Sequence, residues 1–224
     1  MASSNPSREA ILNRLRKAQS AGAQLGFEAP PTPAEYEAVR TVENEPASLL
    51  LQFSQALEQL RAHAHVVDDE EEAVSALMDV LRRHEADAVI GWAESELPLS
   101  NLPAVLASAG VEYHRPLGDA QRFSEAVVGI SGAEALLAAT GTVVVRSGAG
   151  RGRIPTVLAP VYVVLAHVDQ LLPNIEAWVE KTGPALGDRG NICFITGPSK
   201  TGDIEMILVH GVHGPGEVHV ILMR

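Results

Sequence analysis

The chain has 224 residues, 46% of them apolar, enough to fill a substantial core as one large domain or two small ones, and this excludes disorder for most of its length. Seventeen Lys and Arg stand against 28 Asp and Glu, a formal net charge of -11, the wrong sign for a surface that must neutralise phosphate backbones, so nucleic acid is not an expected partner. The single cysteine, Cys193, excludes an internal disulfide and cannot alone hold an iron–sulfur cluster or a Cys-type zinc site.

The segment MASSNPSREAILNRL has no apolar signal region, and the longest apolar run, Val157 to Val168, is broken by Pro160 and too short to span a bilayer. A soluble, cytoplasmic protein is expected. Asn5 and Pro6 open a helix in which Ile11, Leu12, Leu15 and Ala18 share one face, while Arg8, Arg14, Arg16 and Lys17 form a solvated basic stripe opposite. Ala21 to Pro33, with Pro30, Pro31 and Pro33, reads as a linker. The expected division is residues 1–44, an N-terminal helix and arm, and residues 45–224, an α/β domain.

Pro46 opens a second helix carrying Leu49, Leu50, Phe53, Ala56, Leu57 and Leu60 at helical spacing. A strand (Ala64 to Val67), a helix (Asp68 to Arg83) and another strand (Ala86 to Trp92) then give a βαβ rhythm. The acid run Asp68 to Glu72 complements the start of its helix and is given no other role. Leu102 to Ala109 reads as a helix, and Val111 to His114 and Ala126 to Ile130 as strands. Further apolar runs without alternation, Thr142 to Arg146, Tyr162 to Ala166, Ile192 to Thr196 and Val218 to Met223, are expected of strands covered on both faces. The fold class is therefore α/β, a three-layer α/β/α arrangement with a largely parallel sheet.

Of the 19 glycines, 14 fall between Gly129 and Gly216, and ligands of such sheets bind beyond the carboxyl ends of the strands, so the glycine turns at Ser131-Gly132, Thr140 to Thr142, Ser147 to Arg153 and Gly197 to Asp203 are expected to matter most. In the loop Gly197 to Asp203, hydroxyls, a lysine and backbone N–H groups follow a buried strand and precede an expected helix from Asp203 or Ile204. That order suits either an anion or a plain tight connection, and it is not a Walker A loop because Asp203 and Ile204 stand where Lys and Ser or Thr are needed. Ser147 to Arg153 lacks the spacing and following helix of a dinucleotide loop. It reads as a flexible loop or gate whose Arg151 and Arg153 could close over a carboxylate or phosphate. In the segment Val209 to Glu217, His210, His213 and His219 are near Glu205 and Asp203. Their spacing argues against a preformed metal site, so no metal is assigned; His213 is a candidate acid–base group, with a hydrogen-bonded structural histidine as the default. Cys193, in a strand, reads as a small buried hydrophobe.

Residues Gly129 to Thr142 (GISGAEALLAATGT), Leu158 to Val168 (LAPVYVVLAHV) and above all Ile195 to Val220 (ITGPSKTGDIEMILVHGVHGPGEVHV) resemble the LUD-domain family, over roughly residues 45 to 224 and in its short, iron–sulfur-free form. The resemblance implies an α/β/α domain distantly related to the sugar-isomerase and CoA-transferase folds, and a role in oxidising L-lactate to pyruvate beside iron–sulfur partner proteins. This chain has Ala139 before the TGT turn where the family usually has glutamate. Having no cysteine set or dinucleotide loop, it is expected to be an accessory subunit that binds a small anionic metabolite, with no cofactor identified. The expected binding positions are Thr140, Gly141, Thr142, Gly197, Ser199, Lys200, Thr201, Gly211 and Gly214, with Asp203, Glu205 and His213 as catalytic candidates. Alternatives are a stand-alone isomerase or CoA-transferase-like enzyme, or a ligand-sensing module.

Overall fold

The computed structural model describes residues 6–23, 45–115, 126–182, 191–202 and 208–224. The chain divides into two units, residues 1–41 and 42–224. Of the first, the described part is one helix, α1 (Pro6–Ala23), with proline at its start as expected.

The second unit is built on a six-stranded sheet in the order β1 (His63–Val67), β12 (Glu217–Met223), β7 (Val161–His167), β4 (Val128–Gly132), β2 (Ala88–Gly91), β3 (Glu112–His114), and every neighbouring pair is parallel. Strands β2 and β4 are buried throughout, and β7 and β12 nearly so, which is why their sequences run apolar without alternation. Helix α2 (Pro46–Gln59) leads into β1 and buries Leu49, Phe53 and Leu57. Helix α3 (Glu70–Arg83) packs on β1 and β12 through Ala73, Leu77, Val80 and Leu81. Its acid run works as a start signal: the Asp69 side chain accepts from the Glu72 amide at 2.8 Å, and the Glu72 carboxylate accepts from the Asp68 amide at 2.9 Å. Helix α4 (Leu102–Ser108) packs on β3. The α/β class with a largely parallel sheet is thus the observed one.

Two expected members of that sheet are elsewhere. Strands β6 (Thr142–Arg146) and β9 (Ile192–Ile195) pair antiparallel in a second, four-stranded sheet ordered β8 (Leu171–Leu172), β5 (Ala135–Leu137), β6, β9. In β6 the lack of alternation has a local cause, whereas β9 is only partly buried, with Phe194 exposed. Val143 and Val145 join the main core, while Val144 packs with Ala135, Leu137 and Trp178 of helix α5 (Ile175–Thr182), so both faces are covered. The third difference concerns the loop 197–203. Lys200–Gly202 (β10) and Leu208–His210 (β11) pair as an antiparallel hairpin, and the helix expected from Asp203 or Ile204 begins outside the described residues.

Candidate functional site

Of the glycine-rich segments singled out in the sequence, 140–142, 197–199 and 211–216 are brought together, but at the amino rim of the six-stranded sheet and not beyond the carboxyl ends of its strands as expected, because they rest on the end of α2 and the starts of β7 and β12. Thr140 Oγ1 is 2.7 Å from Thr142 Oγ1, which is 2.8 Å from Thr196 Oγ1 across the β6–β9 pair. Gly141, at φ +63°, lies against the backbone of Ala56 and Leu57, and Gly197, at φ +75°, against Leu60, so both turns rest on the end of α2 where it enters β1. The Ser199 amide donates to the Pro215 carbonyl at 2.8 Å, and the Gly211 amide to the Ser199 carbonyl at 3.0 Å. Gly214 faces Ser199, and Gly216, just before β12, donates to the Pro160 carbonyl. The hydroxyls of Thr140, Thr142 and Thr196 and the amides of Ser199, Gly211 and Gly216 are therefore bonded within the protein. Lys200 and His213 are exposed, the Thr201 side chain is not described, and Asp203 and Glu205 lie outside the described residues.

Cationic groups converge at the other rim. Residues 147–153 follow β6 and are tied to the carboxyl end of β2. The Ala93 amide donates to the Gly150 carbonyl at 2.8 Å, the Trp92 indole to the Gly152 carbonyl at 2.9 Å, and Arg151 Nε to the Glu96 carboxylate. Gly148 and Arg151 exchange both backbone hydrogen bonds, and Thr156 Oγ1 donates to the Arg153 carbonyl. The segment read as a flexible loop or gate thus has a defined, many-point attachment.

Between this loop and the β6–β9 pair lies a cavity of about 150 Å³ whose wall includes Arg146, Arg151, Arg153, Trp92, Asn191 and Cys193. Among the described residues, no carboxylate lines it. Arg146, 8% exposed, is ion-paired to Glu134 through one terminal nitrogen, yet its buried Nε has no hydrogen-bond partner. A buried N–H of a guanidinium left unpaired costs free energy, and an anion accepting from it recovers that cost. Arg151 also lies over the Trp92 ring, 5.7 Å from guanidinium carbon to centroid. A second, larger cavity of about 360 Å³ opens at the carboxyl ends of β4 and β7, with Gly132, Ala133, His167 and Asp169 in its wall, and Arg151 borders both. Cys193 is half-buried, packed on the main core and facing the arginine cavity.

A histidine cluster occupies the amino rim, and its members come from distant parts of the chain. His219, fully buried on β12, places Nε2 2.8 Å from Oε1 of Glu217 and Nδ1 3.0 Å from Nε2 of His65 on β1. The His63 ring stacks on His219 at 4.7 Å. His84, the residue after α3, has Nε2 3.4 Å from Oε2 of Glu217, within ion-pair range but off the line a hydrogen bond needs, so this buried nitrogen is unpartnered. Burial, then the neighbouring His63, pushes His219 down to about 4, and burial also lowers His65. Burial alone would raise Glu217, but the hydrogen bond from His219 and the histidines around it outweigh that and hold its carboxyl below the ordinary value.

His219 was legible as a strand residue, but its partners are His63, His65, His84 and Glu217 rather than its neighbours in sequence. The pairs His63-Ala-His65 and Glu217-Val-His219 each alternate onto one face of a strand, a signal present in the sequence. Parallel pairing of β1 with β12, which sets His63 opposite His219, was not.

Over 147 residues the chain is 35% identical to the Lactate utilization protein C of Halalkalibacterium halodurans, a match covering 62% of this chain and 64% of that protein, less than two thirds of its length. It is 29% identical over 166 residues to the Lactate utilization protein C of a Geobacillus species, covering 68% of each. The protein of that name from Bacillus subtilis is 36% identical over 107 residues, 46% of this chain and 45% of that one. Among solved structures, a DUF162 family protein from Deinococcus radiodurans matches with a TM-score of 0.63 at 21% identity, covering 81% of this chain and 100% of that chain, a likeness of fold. The LUD domain model matches residues 50–223, and the chain belongs to the LUD domain family.

Proposed function

We propose that this chain acts in lactate utilisation as an accessory subunit, holding a small carboxylate such as L-lactate or pyruvate in the arginine-lined cavity while iron–sulfur partner proteins carry the electrons. The observation that carries the ligand reading is the unpartnered, buried Nε–H of Arg146, in a wall shared with Arg151 and Arg153 that holds no carboxylate among the described residues. The role in lactate utilisation is supported by relatives named for that process. One cysteine leaves the chain unable to bind a cluster alone, which supports redox partners.

In this reading the carboxylate accepts from Arg146 Nε and from the Arg153 guanidinium, while Ser147 and Asn191 offer hydrogen-bond partners to a 2-hydroxy or 2-oxo group. The cavity is preferred to the Thr140 to Thr142 and Gly197 to Thr201 segments because the Thr140 and Thr142 hydroxyls and the Ser199 amide are already bonded within the protein, whereas Arg146 Nε is not. The Glu96 and Trp92 contacts fix Arg151 before any ligand arrives, which lowers the ordering cost of binding.

The test is genetic and biochemical. Cells deleted for the gene should grow poorly on lactate, and tagged protein from lactate-grown cells should bring down iron–sulfur proteins. Normal growth on lactate together with an empty pull-down would overturn the assignment.

A further inference from the structure

The histidine cluster is not used by the anion-binding reading and lies at the opposite rim of the parallel sheet. It carries an inference of its own. Ligand atoms of His63, Glu217 and His219 all lie within 4.8 Å of one another. Around the Glu217 carboxylate, His219 Nε2 stands at 2.8 Å, His84 Nε2 at 3.4 Å and His63 Nε2 at 3.7 Å. Donors bound tetrahedrally to Zn²⁺ at about 2.0–2.1 Å are roughly 3.3 Å apart, between the His219 and His63 distances to Oε1, while His84 faces the other oxygen, Oε2.

We propose that His63, Glu217 and His219 form a binding site for a divalent transition metal of the Zn²⁺ type, with His84, whose Nε2 faces the other oxygen of the Glu217 carboxylate, turning in as the fourth ligand. Three imidazoles around one carboxylate are a nitrogen-rich donor set, suited to Zn²⁺ and not to Mg²⁺ or Ca²⁺, which take oxygen ligands. The site is built on rigid elements: His219 is fully buried on a central strand, and His84 is fixed at the end of α3. His63 and Glu217, with side chains 48% and 30% exposed, have the freedom to close on an ion and the access to admit it. Behind the ligands, His65 Nε2 meets His219 Nδ1 at 3.0 Å, the outer contact that orients a metal-bound imidazole. His84 Nε2, buried and without a hydrogen bond, faces the same carboxylate. An ion here clamps the edge strand β1 to β12 and to the end of α3.

The test uses the full chain without an affinity tag, stripped with a chelator and titrated with Zn²⁺ by calorimetry and with Co²⁺ by visible absorption. The expected result is one equivalent bound, the visible bands of four-coordinate Co²⁺, and a higher melting temperature in the presence of Zn²⁺. His63→Ala and Glu217→Gln should each weaken binding at least tenfold, whereas His213→Ala, an exposed residue of the 211–215 turn, should bind as the parent does. His63 is half-exposed and its replacement should leave the fold intact, so that variant decides if Glu217→Gln does not fold. Absence of saturable binding at one equivalent, or unchanged affinity in His63→Ala, overturns the site.

Discussion

The guanidinium of Arg151 lies over the indole of Trp92, 5.7 Å from carbon to ring centroid, while its Nε is bonded to Glu96. The same indole donates to the Gly152 carbonyl, so one aromatic side chain holds both the backbone and the charged tip of the arginine loop. This contact turns the cavity wall into its own reporter.

The chain has two tryptophans, Trp92 in the arginine cavity and Trp178 packed edge-on to Phe194. A carboxylate entering the cavity changes the field at Trp92. Pyruvate should therefore alter tryptophan emission in a saturable way in the parent and in Trp178→Phe. A Trp92→Phe variant that keeps the signal would place the ligand elsewhere.

Thr142 is buried, and its hydroxyl is the middle link between Thr140 and Thr196. Thr142→Val removes that link and should lower stability by about 0.5–1.5 kcal/mol, the net contribution of a hydrogen bond whose outer partners, Thr140 and Thr196, are exposed and can turn to water. Affinity for lactate or pyruvate should not change, because the ligand lies at the other rim. Urea denaturation and calorimetry on the variant check both halves, and a large loss of affinity with little loss of stability would return the ligand to the glycine-rich turns.

Gly129 on β4 faces the backbone of the turn after the arginine loop: a Cβ there would stand 2.0 Å from the Pro155 carbonyl oxygen. Backbone cannot swing aside as a side chain does, so Gly129→Ala should cost about 2–3 kcal/mol or more through overpacking. At this chain length that lowers the melting temperature by roughly 2–4 °C per kcal/mol. A melting temperature equal to the parent's would show that the two backbones do not approach this closely.

Burial raises the phenols of Tyr113 and Tyr162 well above their ordinary value of 10.0. Tyr162 is bonded to Ser131 at 2.6 Å, and Tyr113 donates to the Trp92 carbonyl at 2.6 Å. The unfolded chain releases these protons near pH 10 while the folded chain keeps them. Their contribution is therefore complete below about pH 10 and is lost as pH rises further. Urea midpoints measured from about pH 9 to 11.5 should fall, and less steeply in Tyr113→Phe. Phenolate absorbance from all three tyrosines near pH 10 with the fold intact would contradict this.

Much of the fold was legible because hydrophobic period and local punctuation carried it. The strand read over Thr142 to Arg146 has those bounds, and the helices opened by Pro6 and Pro46 start there. What period cannot give is partnership. A run such as Thr142-Val-Val-Val-Arg146 reads the same whether helices cover it on both faces of a parallel sheet or, as here, the main core covers one face and Trp178 the other. Glycine placement pointed to the 140–142, 197–199 and 211–215 segments, but they meet at the amino rim and not the expected carboxyl rim, with the threonine hydroxyls and several amides bonded within the protein. Arg151 and Arg153 were visible as possible carboxylate binders, but Arg146 was hidden inside a strand that periodicity marks only as apolar. His63, His65, His84 and Glu217 gather round His219 through parallel pairing and a helix end, neither of which local spacing encodes.

Calorimetric titration of L-lactate and pyruvate into the full chain, beside Arg153→Ala and Arg146→Lys, tests the central claim most directly. One-to-one saturable binding is expected, weakened about tenfold or more in each variant, since a hydrogen bond from a charged donor contributes about 1.5–3 kcal/mol and 1.4 kcal/mol is a factor of ten. No heat of binding with either acid, or equal affinity in parent and variants, would contradict it.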